Sequence, residues 1–282
     1  MRLNGRRESR NVRDIRGKGK GVGLGIGGVI VVGLLAWILG GDPVDAIQQA
    51  GGLNYNTESE YVPTAQEEAL AKFAKQVLAG TEDVWSAQFQ KLGLTYEPPT
   101  LVLFTNSVQS ACGGASASSG PFYCSADKSV YIDLSFFSNM QREFGTAGDF
   151  AYAYVIAHEV GHHVQNLLGT LTQANQIMRQ VSQTEANQIS VRLELQADFY
   201  AGLWAYHDDA MYNSLEEGDI EEGLAIAAII GDDYLQKASR GYAVPETFNH
   251  GTSAQRARWL KRGYSTGDIT KGDTFSPKYN SL

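Results

Sequence analysis

Residues 154–166 read YVIAHEVGHHVQN and hold three of the chain's five histidines within six positions. His158 and His162 stand four residues apart. On an α-helix that spacing stacks two side chains on one face, one turn apart, so both imidazoles can reach one ion. The flanks support a helix: residues 149–169 read DFAYAYVIAHEVGHHVQNLLG, with Asp149 as a candidate cap and a glycine at the end. Glu159 follows the first histidine, where a carboxylate can take a proton from a metal-bound water. The pattern His-Glu-x-x-His predicts a metal-binding helix, with Zn2+ as the ion and Glu159 as the general base. The competing reading is an amphipathic helix whose histidines are only structural.

Two histidines leave a catalytic zinc one protein ligand short. One known arrangement takes a third histidine six residues after the second, with a glycine before it. Those positions are Leu168 and Gln165 here, so that arrangement is excluded. The other takes a glutamate from a later helix. Residues 190–209, SVRLELQADFYAGLWAYHDD, contain Glu194, 32 residues beyond His162 and far enough for a returning antiparallel helix. Asp198 lies one turn after it, placed to accept a hydrogen bond from the free ring nitrogen of a ligating histidine. Glu194 is therefore the expected third ligand, with Glu143 and Glu185 as alternatives.

The remaining histidines read differently. His163 sits about 100° around the helix from His162 and is expected to be packed rather than ligating. His207, beside Asp208 and Asp209, reads as a helix C-terminal histidine. His250 falls in FNHGTSAQRARWLKRG, residues 248–263, on a loop before a last helix that Thr252 or Ser253 could cap. It is a candidate donor to a developing oxyanion, with Tyr242 and Tyr264 as competitors. Upstream, SVYIDLSFF (129–137) reads as a strand whose residues Val130, Tyr131, Ile132 and Asp133 could form an edge for an extended peptide.

Charge divides the chain unevenly. Residues 1–20 carry eight basic side chains against two acids, whereas residues 42–282 carry 15 basic and 29 acidic ones. So acidic a body does not bind nucleic acid, because phosphate contacts need clustered positive charge. Residues 21–41, GVGLGIGGVIVVGLLAWILGG, are uncharged and long enough to cross a bilayer as one helix, with Trp37 near the far interface. The positive-inside rule then puts the basic end in the cytoplasm and the rest outside it, in a bacterial inner membrane with the body in the periplasm. Cleavage as a signal peptide at Gly40-Gly41 is the alternative. Spacings such as Gly23-xxx-Gly27 suggest a homodimer contact between such helices. Gly23-x-Gly25-x-x-Gly28 matches a dinucleotide fingerprint by letters alone, since no strand precedes it.

Cys112 and Cys124 flank the Gly/Ser-rich loop CGGASASSGPFYC. In an oxidising compartment they are expected to form a disulfide, worth about 3 kcal/mol in the chain-entropy model. The rest of the pattern predicts a helix over 64–80, a second short one over 81–92, a buried strand at 100–106, and helices almost throughout from 149 onward.

Taken together, these motifs resemble a bacterial family of neutral zinc metallopeptidases, the YpfJ-like proteins. The likeness runs through the start GRRESRNVRDIR, the single apolar segment, CGGASASSGPFYC, VYIDLSFF, AHEVGHHVQ, RLELQADFYAGLW and HGTSAQR. It implies a membrane-anchored zincin with a glutamate third ligand. ELQAD and the His250/Arg256 pair also resemble the CAAX-processing membrane zincins. That likeness implies transition-state stabilisation by His250 and support of the site by Arg256.

The expected architecture is thus an α+β zincin-like domain, a small mixed sheet with a helical body, behind one N-terminal transmembrane helix. The expected division is a basic cytoplasmic tail (1–20), a membrane helix (21–41), a linker (42–62) and the domain (63–282). The expected activity is hydrolysis of peptide bonds in protein or peptide substrates. The rival is a non-catalytic, zinc-stabilised envelope scaffold that binds partners on a peptidase fold.

Overall fold

The computed structural model describes residues 1–17, 61–144 and 148–282. The apolar stretch 21–41 and most of the linker after it lie outside the described residues, and among those described no helix is long and apolar enough to cross a membrane. The architecture is α+β, with two small sheets beside a helical body.

The larger sheet has the order β1 (Val12–Asp14), β2 (Thr100–Phe104), β6 (Ser129–Asp133) and β5 (Phe122–Cys124). β1, β2 and β6 run parallel, and β5 closes the sheet antiparallel to β6. β3 (Ser107–Ser110) and β4 (Gly113–Ser116) form a separate hairpin. Side chains alternate across the sheet. Leu101, Leu103, Val130 and Ile132 face the main core, while Val102, Phe104 and Tyr131 pack into a second cluster with Val108 of the hairpin and Cys124. With both faces covered, the strands read as nearly continuous apolar runs. The Cys112–Cys124 disulfide ties the hairpin turn to β5, as expected.

Two sequence expectations about elements are corrected. Residues 64–92 form one helix, α1 (Ala65–Lys91), opened by a Thr64/Glu67 capping box. Gly80 does not end a helix there. A Cβ at residue 80 would meet Asp208 Oδ1 at 2.5 Å and Arg6 Nη2 at 2.8 Å, so the glycine makes room for an ion pair lying against α1. The strand expected at 129–137 stops at Asp133, whose Oδ1 accepts from the backbone N–H of Ser135 at the start of α2 (Ser135–Phe144). β6 is also not an edge: β2 and β5 flank it, and Val130, Tyr131, Ile132 and Asp133 are all buried. Among the described residues, the edge on that side belongs to β5.

The helical body consists of α3 (Asp149–Leu167), α4 (Thr170–Met178), α5 (Gln183–Tyr212), α6 (Asp219–Ile229), α7 (Asp232–Arg240) and α8 (Ser253–Thr266). Asp149 is the first helical residue of α3, and Gly148 is its cap. Three glycines let the central helices approach backbone to backbone. A Cβ on Gly161 of α3 would meet Ala197 O at 3.0 Å and Ala197 Cα at 3.1 Å on α5. A Cβ on Gly202 of α5 would collide with the Leu260 carbonyl of α8, and one on Gly263 of α8 with the Phe199 carbonyl of α5. These contacts bring α3, α5 and α8 together where the site is built.

The basic N-terminal segment is not a free tail, which corrects the expected division of the chain. β1 is hydrogen-bonded into the sheet. Arg6 makes a two-bonded pair with the fully buried Asp208, at 2.7 Å for each bond. Arg7 reaches Glu82 and Asp83, and Ser9 and Asn11 also hold Glu82. Arg16 pairs with Asp14 and Glu68. Several of the clustered positive charges are thus partners of the acidic body. Gly17 lies against Tyr61.

A single crossing between residues 20 and 42 would separate β1 from the strand it pairs with. Residues 1–17 and 61–282 are therefore expected on the same side of any membrane. Single-cysteine variants Arg10→Cys and Lys261→Cys, both at exposed positions, should show equal access to a membrane-impermeant maleimide in intact cells; opposite access would contradict the fold. Gly202→Ala forces a side chain into backbone and should lower stability by about 3 kcal/mol, read from denaturant unfolding.

Candidate metal centre

α3 and α5 run side by side at the Gly161–Ala197 contact, and this juxtaposition assembles the site. One ligand atom from each of His158, His162 and Glu194 lies within 4.8 Å of the others, a group able to hold a metal ion. His158 Nε2 stands 3.1 Å from Glu194 Oε2, and His162 Nε2 stands 3.4 Å from Glu194 Oε1. Among the described residues no other such group of His, Cys, Asp and Glu occurs. Glu185, an alternative ligand by sequence, instead completes the exposed Ser182 capping box of α5. Glu143 lies among residues whose side chains are not described.

The hydrogen bonds set the histidine tautomers. His158 Nδ1 is 2.8 Å from Asp198 Oδ1, and His162 Nδ1 is 2.9 Å from Gln165 Oε1. Both partners are acceptors, so each Nδ1 carries a proton and donates it. Each Nε2 then turns toward the Glu194 carboxylate. Two nitrogen lone pairs and an anion converging on one point are stable only around positive charge, either added protons or a divalent cation. This donor set fits zinc.

Asp198 is wholly buried and accepts from three side chains on two other helices. His158 and Tyr154 donate from α3, Tyr154 Oη at 2.6 Å, and Arg256 donates from α8 through Nε at 2.9 Å and Nη2 at 3.0 Å. Arg256 Nη2 also comes within 4.0 Å of Glu194 Oε2. Tyr154 escaped the sequence reading, although it lies one turn before His158 on the same face. Gln165, noted there only as a missing glycine, and Asp232 escaped it as well.

Burial and charge work against each other throughout this site. Burial disfavours charge on His158, but Asp198 and Glu194 outweigh it and raise the imidazolium to about 10. Burial would raise Glu194, yet His162 and His158 hold it well below the usual carboxylate range. Asp198 is likewise lowered against its burial, by Arg256 and His158. Glu159 is the exception: burial pushes it up despite both histidines. A carboxyl held above its ordinary range is a better proton acceptor than a free one.

His250 lies on the loop before α8. Asp232, at the start of α7, accepts the backbone N–H groups of Asn249, His250 and Gly251, and its other oxygen lies 3.2 Å from His250 Nδ1. The ring is half exposed, and its hydrogen bond with Asp232, together with the charges of Glu194 and Asp232, raises it above its ordinary range. Tyr242 is 61% exposed and lies under Arg240. Tyr264 packs against the core instead. His163 is fully buried: its Nε2 donates to the Glu97 carbonyl at 2.7 Å and its Nδ1 accepts from Tyr123 at 2.9 Å. His207 lies within α5, and its Nε2 donates to the Gly267 carbonyl.

Residues 1–275 match the family described as "Putative neutral zinc metallopeptidase". The chain is 44% identical to the uncharacterized protein YpfJ of Escherichia coli, over 98% of this chain and 99% of that one. It is 42% identical to the uncharacterized proteins Rv2575 of Mycobacterium tuberculosis and Mb2605 of Mycobacterium bovis, over 73% of this chain and 72% of each of theirs. No solved structure matches it significantly. With its His158–His162–Glu194 cluster lying inside the matched region, the chain belongs to this family.

Proposed function

We propose that the protein is a zinc-dependent endopeptidase that hydrolyses peptide bonds in proteins or peptides. The observation that carries this reading is the convergence of His158, His162 and Glu194 with a raised, buried Glu159 on the same helix as both histidines. Zinc in this donor set supplies a Lewis acid that makes water nucleophilic near neutral pH. Glu159 accepts a proton from the attacking water and passes it to the leaving amine. His250, aligned by Asp232, donates to the oxyanion that forms on the scissile carbonyl. Asp198 fixes the ring of His158, and Arg256 balances the buried acids behind it.

An extended substrate would pair along β5, Phe122–Cys124. Its outer side has no strand neighbour among the described residues, and Tyr123 touches His163 and Asn166 on the metal helix. The disulfide holding β5 to the hairpin supports a place outside the cytoplasm, at a bacterial membrane that residues 21–41 contact.

Purified protein should bind one zinc per chain, measured by elemental analysis, and His162→Ala should lose it. Glu159→Gln should keep the zinc and lower peptide hydrolysis at least ~100-fold, the lower range for a general base. Zinc binding without any hydrolysis by the unaltered protein would favour the scaffold reading.

A further inference from the structure

We infer that Gln165 is a positioning residue for the metal ligand His162, an inference that rests on the zinc reading above. Gln165 follows His162 by three residues, is fully buried, and shares its helix face. Its amide orientation is determined by its surroundings. Nε2 lies 2.7 Å from the Leu193 carbonyl of α5 and 3.1 Å from Gln196 Oε1. A carbonyl oxygen only accepts, so the NH2 must face it, and Oε1 must face His162 Nδ1 at 2.9 Å.

Gln196 is fixed by the same logic. Its Nε2 donates to the Gly272 carbonyl at 3.0 Å, which leaves Oε1 as acceptor for Gln165. The polarity therefore runs one way from end to end: the Gly272 carbonyl orients Gln196, the Leu193 carbonyl and Gln196 orient Gln165, and Gln165 orients the imidazole. Gly272 belongs to a C-terminal segment that is itself docked on α5. Arg192 donates to the Thr274 and Phe275 carbonyls, and Thr274 Oγ1 donates to the Arg192 carbonyl.

The two ligating histidines are thus held by different chemistry. A carboxylate, Asp198, holds His158, and a neutral amide, Gln165, holds His162. The amide adds no charge to a site already crowded with acids, yet it dictates the Nδ1–H tautomer that leaves Nε2 free for the ion. Removing it leaves the ring able to rotate and to protonate at either nitrogen.

The test replaces the amide by an apolar side chain of similar length, Gln165→Met, and measures zinc affinity by competition with a chelator. The expected result is a 10–100-fold weaker zinc affinity, the usual cost of losing a ligand's hydrogen-bond partner. An affinity within threefold of the unaltered protein would overturn the proposal. A second measurement does not depend on the variant folding. In the zinc-loaded unaltered protein, 15N NMR should show His162 protonated at Nδ1, with a proton slow to exchange. A proton on Nε2 would overturn the assignment. Failure of the unaltered protein to bind zinc would instead reject the metal reading itself.

Discussion

Asp198 is a carboxylate with no access to water, and the site depends on how its charge is balanced. An isolated carboxylate at such a depth would be protonated. Here a histidine and a tyrosine from α3 and an arginine from α8 all donate to it, so three helices meet on two oxygen atoms. A buried ion pair adds little net stability once desolvation is counted, but removing one partner typically costs about 3–5 kcal/mol. The network therefore specifies one arrangement of α3, α5 and α8 more than it strengthens the fold. That arrangement is the one in which His158 and Glu194 face each other.

Close packing makes the network possible. The donor–acceptor distances around Asp198 require helix axes nearer than bulky side chains would allow, and Gly161, Gly202 and Gly263 supply that approach. Gly161 is the second variable position of the His-Glu-x-x-His motif, so one short stretch provides both the ligands and the small residue that admits the partner helix. At the other end of α5, Gly80 serves a related purpose by admitting the Arg6–Asp208 pair against α1. Charge and packing are linked at both places: a buried ion pair forms only where a missing side chain leaves room for it.

The metal helix was legible because its signal is local. Two histidines four apart with a glutamate between them define a face without reference to anything distant. Glu194 and Asp198 were legible for a related reason, since two acids one turn apart in an otherwise apolar helix stand out against their neighbours. The disulfide followed from loop composition and the presence of two cysteines. Strand order was not legible in this way. β6 reads as an edge or a core strand with equal ease, because alternation shows that two faces exist and not which strand lies on either side. The glycine at position 80 looked like a stop because glycine usually weakens helices, and its partner Asp208 lies more than 120 residues away.

The basic head shows the same division most clearly. Its positive charges, followed by an apolar stretch, fit a rule about membranes that uses composition and order alone. The folded chain uses Arg6 and Arg7 as partners for the buried Asp208 and Glu82, pairs Arg16 with the exposed Glu68, and adds Val12–Asp14 to a sheet whose other strands come after residue 99. By itself, the sequence determined the chemistry of the site: which residues can bind a metal, which can take a proton, and the helical spacing that pairs them. Only the tertiary structure decided which strand is the edge, which amide and carboxylate orient the ligands, and that the first residues belong to the domain. Those are contacts between segments far apart in the chain, and no local pattern of side chains encodes a partner it does not touch.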